Sequence, residues 1–341
     1  MSEDVPLIET RELTKHFKVG GALSRAVLHA VDGANLVIRR REIVALVGES
    51  GSGKSTIARL LAQVYRPTAG EIRYQGRPLS ALRGRRESMR YRGDVPMVFQ
   101  DPFSSLNPAY RVSHGILRGL KLHRPDVAPA QRSDEMERVL TLVGLTPVAD
   151  VVDRYPHELS GGQRQRIGFA QALAYRPTLI LADEPVSMLD VSIRIGLLNL
   201  MAALRRDEGV SILYITHDIA SARYLSDRIV VMYAGHIVES GPTEGVLSNP
   251  KHPYTQLLLS AVPDPRAPLS VGAETDKGEP PRVINPTPGC RFRWRCPYAI
   301  DVCHEVTPLL RPLAPQQSAA CHVATADPVT VEPAAADLPG G

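Results

Sequence analysis

At 341 residues, 43% of them hydrophobic and 22% charged, the chain exceeds a typical single domain and has enough apolar side chains for one large core with an appendage. Its 40 basic and 36 acidic residues leave a net charge of +4, too small to argue for nucleic acid by itself. No uninterrupted apolar run reaches the roughly 18–20 residues that span a bilayer, and the start, Met1-Ser2-Glu3-Asp4-Val5-Pro6, lacks the basic and apolar segments of a secretory signal. A cytosolic protein is expected, with any transmembrane function residing in partner chains.

Residues 7–47 read as β-structure with turn material between the strands. The run 43–47 is continuously apolar and ends at Gly48, the pattern of a buried parallel strand feeding a glycine loop. Helical spacing over 55–64 stops at Pro67 and Gly70. Ile72 and Tyr74 then alternate with Arg73 and Gln75, as in a half-exposed strand. Residues 80–93 are rich in Arg and read as a solvated connecting segment, and 95–99 as a short strand ending at Gln100. From about 110 to 155 the period turns helical, with Val139, Leu140, Leu142, Val143 and Leu145 in one stripe, which predicts a helical insertion. The apolar runs 179–182 and 211–215 are further buried strands, and the alternation predicts a mainly parallel sheet with helices on both faces. Prolines 263, 265, 268, 280, 281, 286 and 288 mark a linker or irregular wrap, and the Ala-, Pro- and Gly-rich end reads as disordered.

Gly48-Glu49-Ser50-Gly51-Ser52-Gly53-Lys54-Ser55-Thr56 fits G-x-x-x-x-G-K-[ST] with a strand before it and a helix after it. Its glycines let backbone N–H groups converge on phosphate oxygens, Lys54 supplies charge to the β- and γ-phosphates, and the Ser55 hydroxyl is the expected Mg²⁺ ligand. Asp183 and Glu184 close the strand 179–182, where the carboxyl ends of parallel strands face a ligand crevice.

The loop, then Leu159-Ser160-Gly161-Gly162-Gln163, then the Asp183-Glu184 strand end, resemble in that order the ATP-binding-cassette ATPases. The resemblance implies an α/β P-loop NTPase (RecA-like) core with an N-terminal β-subdomain, an inserted helical subdomain and an irregular Cys-containing C-terminal extension. The expected layout is a cassette over 5–250 with its helical subdomain at about 101–160, an extension over 251–325, and a disordered tail over 326–341. It implies ATP and Mg²⁺, with Asp183 holding the ion through water alongside Ser55 and Gln100, and Glu184 polarising the attacking water as general base. It implies that His217 contacts the γ-phosphate, that Gln100 reaches the ion and water from the joint with the helical insertion, and that Asp190 ends a loop, Ser187-Met188-Leu189-Asp190, crossing a dimer interface. Met188 departs from the usual Ala there. Phe17 stands where the family stacks an aromatic ring on adenine, with His16 as the alternative. Ser160, Gly162 and Gln163 would close over the triphosphate of another cassette.

Phe99-Gln100-Asp101-Pro102-Phe103-Ser104-Ser105-Leu106-Asn107-Pro108 and His252-Pro253-Tyr254-Thr255-Gln256-Leu257-Leu258 narrow the resemblance to the oligopeptide/dipeptide importer ATPases, of the second subunit type. That implies a second ATPase subunit, identical or different, two membrane permeases contacted through residues 101–110, an external solute-binding protein, and a peripheral place on the cytoplasmic face of the membrane. Oligosaccharide or nickel import by the same machine is the alternative; a soluble cassette of DNA repair or translation and a redox-sensing regulatory subunit are rivals from other classes.

The cysteines, Cys290, Cys296, Cys303 and Cys321, follow the spacing C-x5-C-x6-C-x17-C. It lacks the C-x2-C pairs common in structural zinc sites and does not match the ferredoxin run, so the residues leave a [4Fe–4S] cluster, zinc and unligated thiols open. The resemblance to the importer ATPases with this tail implies a [4Fe–4S] cluster. The stretch Arg291-Phe292-Arg293-Trp294-Arg295 reads as arginines offsetting thiolate charge with aromatic rings as a shield, in preference to a nucleic-acid stack.

Overall fold

The computed structural model describes residues 5–21, 24–101, 106–260 and 283–325. An eight-stranded sheet forms the centre, in the order β12-β13-β11-β10-β4-β9-β8-β7. Its parallel part is β10 (Arg228–Tyr233), β4 (Ile43–Val47), β9 (Ser211–Thr216), β8 (Leu179–Asp183) and β7 (Met97–Val98). Every residue of β4, β8 and β9 is buried, which is why these segments are apolar without alternation. The pleat then divides them between two cores: Ile43, Ala45 and Val47 face one, and Val44 and Leu46 the other.

An N-terminal antiparallel sheet covers one face. Here β1 (Ile8–Val19) pairs with β2 (Ala26–Ala34), β3 (Val37–Ile38) and β5 (Ala69–Tyr74), and β5 continues to β6 (Arg77–Pro78). The helical insertion consists of Val112–His123, Arg132–Leu142 and Ala149–Val152, followed by the helix Gly161–Leu173. Of the predicted stripe, Val139, Leu140, Val143 and Leu145 are buried, and Leu142 is half-buried.

Two local expectations are corrected. The Arg-rich stretch is not a plain connecting segment: Gly84–Asp94 is a helix, anchored by the buried Tyr91, whose hydroxyl donates to the Leu61 carbonyl at 2.6 Å. One buried aromatic ring among many arginines leaves almost no apolar period to read. The strand at 95–99 shrinks to Met97–Val98, because ladder pairing with β8 stops there.

The C-terminal extension is less irregular than expected. Its hairpin, β12 (Arg311–Ala314) and β13 (Gln317–Ala319), joins the central sheet through pairing of Glu239 and Ser240 on β11 (His236–Pro242) with Ala319 and Ser318. Upstream, Asn285 exchanges hydrogen bonds with Val27 on β2, donating its N–H to the Val27 carbonyl at 3.0 Å and accepting the Val27 N–H on Oδ1 at 2.9 Å. The predicted wrap thus lies on the N-terminal sheet at 283–288; its earlier prolines, at 263–281, and the tail from 326 lie outside the described residues.

Candidate nucleotide site and the extension beside it

β4 delivers the chain into the phosphate loop, and the helix Lys54–Leu61 leaves it. Two glycines are dictated by close backbone approach. A Cβ on Gly48 would sit 2.1 Å from the Met232 carbonyl oxygen, and one on Gly53 2.3 Å from that of Ala30, with φ of 151° and 106°. Lys54 is buried, and its ammonium donates to the carbonyls of Gly48 at 2.7 Å and Glu49 at 2.8 Å. Burial lowers its pKa, while the carboxylates of Glu184, Asp183 and Glu49 oppose that shift. Ser50 and Gly51 are exposed at the loop's tip, and Ser52 is buried beneath it, its carbonyl accepting the Gly235 N–H at 2.9 Å. Thr56 is half-buried one residue past Ser55 on the helix.

Asp183, at the end of β8, accepts a hydrogen bond from Ser55 Oγ at 2.8 Å. Burial raises its pKa, and the Ser55 bond acts against that. A hydroxyl and a carboxylate meeting at one point are hard oxygen donors of the kind that suit Mg²⁺. Glu184 follows in a left-handed backbone conformation, φ 45°, fixed by its N–H on the Ile215 carbonyl at 3.0 Å. This turn out of the strand brings its carboxylate to Gln100 Nε2 at 3.1 Å and to His217 Nδ1 at 3.3 Å, both on Oε2. Ser187, named from the sequence only as the start of the loop ending at Asp190, accepts a second bond from Gln100 at 3.3 Å. Phosphate loop, acidic pair, Gln100 and His217 therefore form one connected site at the carboxyl ends of β4, β8 and β9.

On the N-terminal sheet, Phe17 is half-buried and packs edge-on to Tyr65, with Lys15 Nζ 4.9 Å from its ring centre. His16 is committed elsewhere. It bonds to Asp32, as do His29 and the guanidinium of Arg291, and its ring lies 3.7 Å from that of His29. Of the two aromatic candidates Phe17 is thus the one not bonded to Asp32. The ligating atoms of His16, His29 and Asp32 lie within 4.8 Å of one another, but Arg291 already provides the cation that Asp32 pairs with.

Ser160 caps the helix Gly161–Leu173: its hydroxyl accepts the Gln163 N–H at 3.2 Å, and Gln163 Oε1 accepts the Ser160 N–H at 2.9 Å. Gly162 is held tight, since a Cβ there would meet Ile193 at 2.6 Å. These bonds turn back into the helix start; Ser160, Gly162 and Gln163 are not hydrogen-bonded to Lys54, Ser55, Asp183 or Glu184. Asp190 is exposed at the start of the helix Val191–Asp207.

The cysteine-bearing segment abuts the phosphate loop, a placement that sequence reading did not anticipate. Arg291 reaches Asp32 and the Ala234 carbonyl, and Arg295 reaches Glu49, while Phe292 packs among Tyr233, Tyr254 and His252. Arg291 and Arg295 therefore serve the cassette rather than the thiols; Arg293 alone turns to the cysteine loop, on the Cys290 carbonyl at 2.9 Å. Trp294 is 74% exposed and shields nothing. Burial pushes the thiol pKa of Cys290 up to about 11 and of Cys296 up to about 12, and raises that of Cys321. The groups lie near enough to feel one another's charge.

A core of this topology, with a phosphate loop facing an acidic strand end and a glycine-headed helix set apart from it, defines an ATP-hydrolysing cassette. Residues 31–187 match the ABC transporter family model, and residues 238–303 match the model of the oligopeptide/dipeptide transporter C-terminal region. The chain belongs to the ABC transporter family, in the branch that carries this C-terminal region. It is 42% identical to the putative oligopeptide transport ATP-binding protein YkfD of Bacillus subtilis (strain 168), covering 94% of this chain and 96% of that protein. The oligopeptide transport ATP-binding protein AppF of the same organism is also 42% identical, over 93% of this chain and 97% of its own length. Among solved structures, cbiO1 from Clostridium perfringens, part of the ABC transporter complex cbiONQ, superposes with a TM-score of 0.62 at 25% identity, covering 72% of this chain and 92% of that one. The ATP-binding cassette MJ0796, a dimer in a post-hydrolysis state bound to ADP and Pi, gives 0.61 at 28% identity, over 69% and 98%.

Proposed function

We propose that this chain is one of two ATPase subunits that power an importer of oligopeptides or dipeptides, bound at the cytoplasmic face beneath two permeases and fed by an external solute-binding protein. The observation that carries the reading is the match of residues 238–303 to the oligopeptide/dipeptide transporter C-terminal region. Relatives named for peptide transport align along nearly the whole chain and support it. No helix among the described residues is long and apolar enough to cross a membrane, which fits a subunit that borrows its membrane path from others. The predicted permease contact at 101–110 falls partly on residues 102–105, outside the described residues; beside them a small groove opens between Leu106, Tyr110 and Gln171.

Within the site, the phosphate-loop N–H groups and Lys54 bind the ATP phosphates, and Phe17 stacks on the adenine. Ser55 and Asp183, with Gln100 on the water side, would hold Mg²⁺, which when bound supplies charge neutralisation between β- and γ-phosphates. Glu184 takes the proton of the attacking water, and Gln100 and His217 fix its carboxylate in place. Ser160, Gly162 and Gln163 face the γ-phosphate held by a second cassette. Exposed apolar residues flank Asp190: Met188, just before the helix, is 67% exposed, and Val191 and Ile195, four apart on one helix face, are 69% and 49% exposed. Such a patch next to the signature helix suits a surface that a second cassette covers.

We assign a [4Fe–4S] cluster to Cys290, Cys296, Cys303 and Cys321. Among the described residues, the only three metal-capable groups within 4.8 Å of one another are His16, His29 and Asp32. No three of the tail sulfurs therefore converge as tightly as one zinc ion at about 2.3 Å from each requires. Four thiols at that wider spacing would suit a cluster, which when bound would tie the loops of the extension together.

The test is transport by the reconstituted complex. Vesicles holding this chain, its partner ATPase and the permeases should accumulate a labelled oligopeptide when ATP and the binding protein are present. Accumulation of nickel or an oligosaccharide, with none of peptide, contradicts the assignment.

A further inference from the structure

We propose that the C-terminal extension neutralises the phosphate loop, with Arg295 as a positioning residue that acts on ATP by cancelling the charge of Glu49. Glu49, the second residue of the loop, is held on three sides. Its N–H donates to the Tyr254 hydroxyl at 2.8 Å, and its carbonyl accepts from Lys54 Nζ at 2.8 Å. Its carboxylate accepts two N–H groups of Arg295, at 2.8 and 3.0 Å. Tyr254 and Arg295 both come from the C-terminal part of the chain, more than two hundred residues away.

This contact has a consequence for binding, beyond packing. The Arg295 and Glu49 side chains are 14% and 24% exposed, so their two-pronged pairing is largely shielded from water. Glu49 stands beside the loop that receives a triphosphate, where an unpaired carboxylate repels the ligand. Its guanidinium partner cancels that charge. The Glu49 backbone is set separately, by Tyr254, and its carbonyl is one of the two that aim the Lys54 ammonium. Removing Arg295 exposes the triphosphate to a bare negative charge.

The experiment compares Arg295→Met, Glu49→Gln and the double variant in the full chain, reading the Kd of a fluorescent ATP analogue and, separately, KM and kcat. Arg295→Met should weaken nucleotide binding about tenfold, the scale of one charge a few ångströms away at an effective dielectric near 20–80. Its kcat at saturation should move less than about threefold, because no group that touches the reacting atoms has changed. Glu49→Gln should bind no more weakly than wild type, and adding it to Arg295→Met should recover most of the lost affinity. A pair that only supports the fold gives the opposite pattern: either single variant then weakens binding alike, and the double recovers nothing. That result overturns the proposal, as does unchanged affinity in Arg295→Met. Should Arg295→Met fail to fold, Glu49→Gln and Arg295→Lys decide it, the first expected near wild type and the second weakened by about threefold through loss of the planar fork.

Discussion

Glu184 is the residue proposed as the general base, and its geometry is specific. A left-handed backbone at the end of a buried strand turns its carboxylate toward Gln100 and His217, which both contact one oxygen. Changing it to Gln keeps the shape and hydrogen bonds but removes the basic oxygen. Turnover in Glu184→Gln should fall by about 10²–10⁴-fold, the usual contribution of a positioned base, while ATP affinity is retained. Steady-state hydrolysis and nucleotide binding on the same preparation check this; near-normal turnover would remove Glu184 from its role. At this scale the sequence was highly legible. Lys54, Ser55, Asp183 and Glu184 lie in short motifs, and a motif carries its own spacing. Arg295 and Glu49 were not legible, because 246 positions separate them and neither belongs to a pattern that names the other.

Among the elements, the helix Pro253–Ser260 and the segment before it tie the extension to the cassette. Glu239 on β11 accepts the N–H groups of Lys251 at 2.8 Å and His252 at 3.0 Å, and Gln317 of β13 donates to the same carboxylate at 2.8 Å. His252 is 1% exposed, and its Nδ1 accepts the Tyr254 N–H at 3.0 Å, a bond open only to the neutral ring. Burial lowers its pKa to about 3. A histidine kept neutral in the fold contributes stability above its unfolded pKa of about 6.5, and loses it as pH falls from there toward the folded value. At pH 5 that loss is about 2 kcal/mol relative to pH 7. His252→Asn keeps an acceptor for Tyr254 but does not titrate, so the stability gap between wild type and variant should narrow by about that amount on going from pH 7 to pH 5. Denaturant unfolding at both pH values measures it, and parallel losses in the two proteins would contradict the assignment. The hairpin that completes this attachment was invisible in the sequence: β12 and β13 are short, carry Pro312 and polar residues, and exist only because β11 offers an unpaired edge.

For the whole molecule, the central sheet explains why the fold class was readable and the joint between its parts was not. The runs of β4, β8 and β9 are buried on both faces, so they show no apolar/polar alternation and end at the phosphate loop, the acidic pair and the turn to His217. The placement of the C-terminal segment against the phosphate loop depends on contacts between distant positions, such as Arg291 with Asp32 and Tyr254 with Glu49, which no local period encodes. The remaining long-range inference concerns two molecules. Ser160 and Gln163 satisfy one another within their own helix start, and under the proposed arrangement the site of Lys54 is completed by a second cassette. The most direct test is ATP turnover per chain measured across protein concentration, with light scattering reporting mass and with the partner cassette added in a parallel series. Turnover should be near background wherever the chain is a monomer, and should rise as a second cassette, identical or different, binds. A constant, full rate at dilutions where only monomer is present would contradict the account.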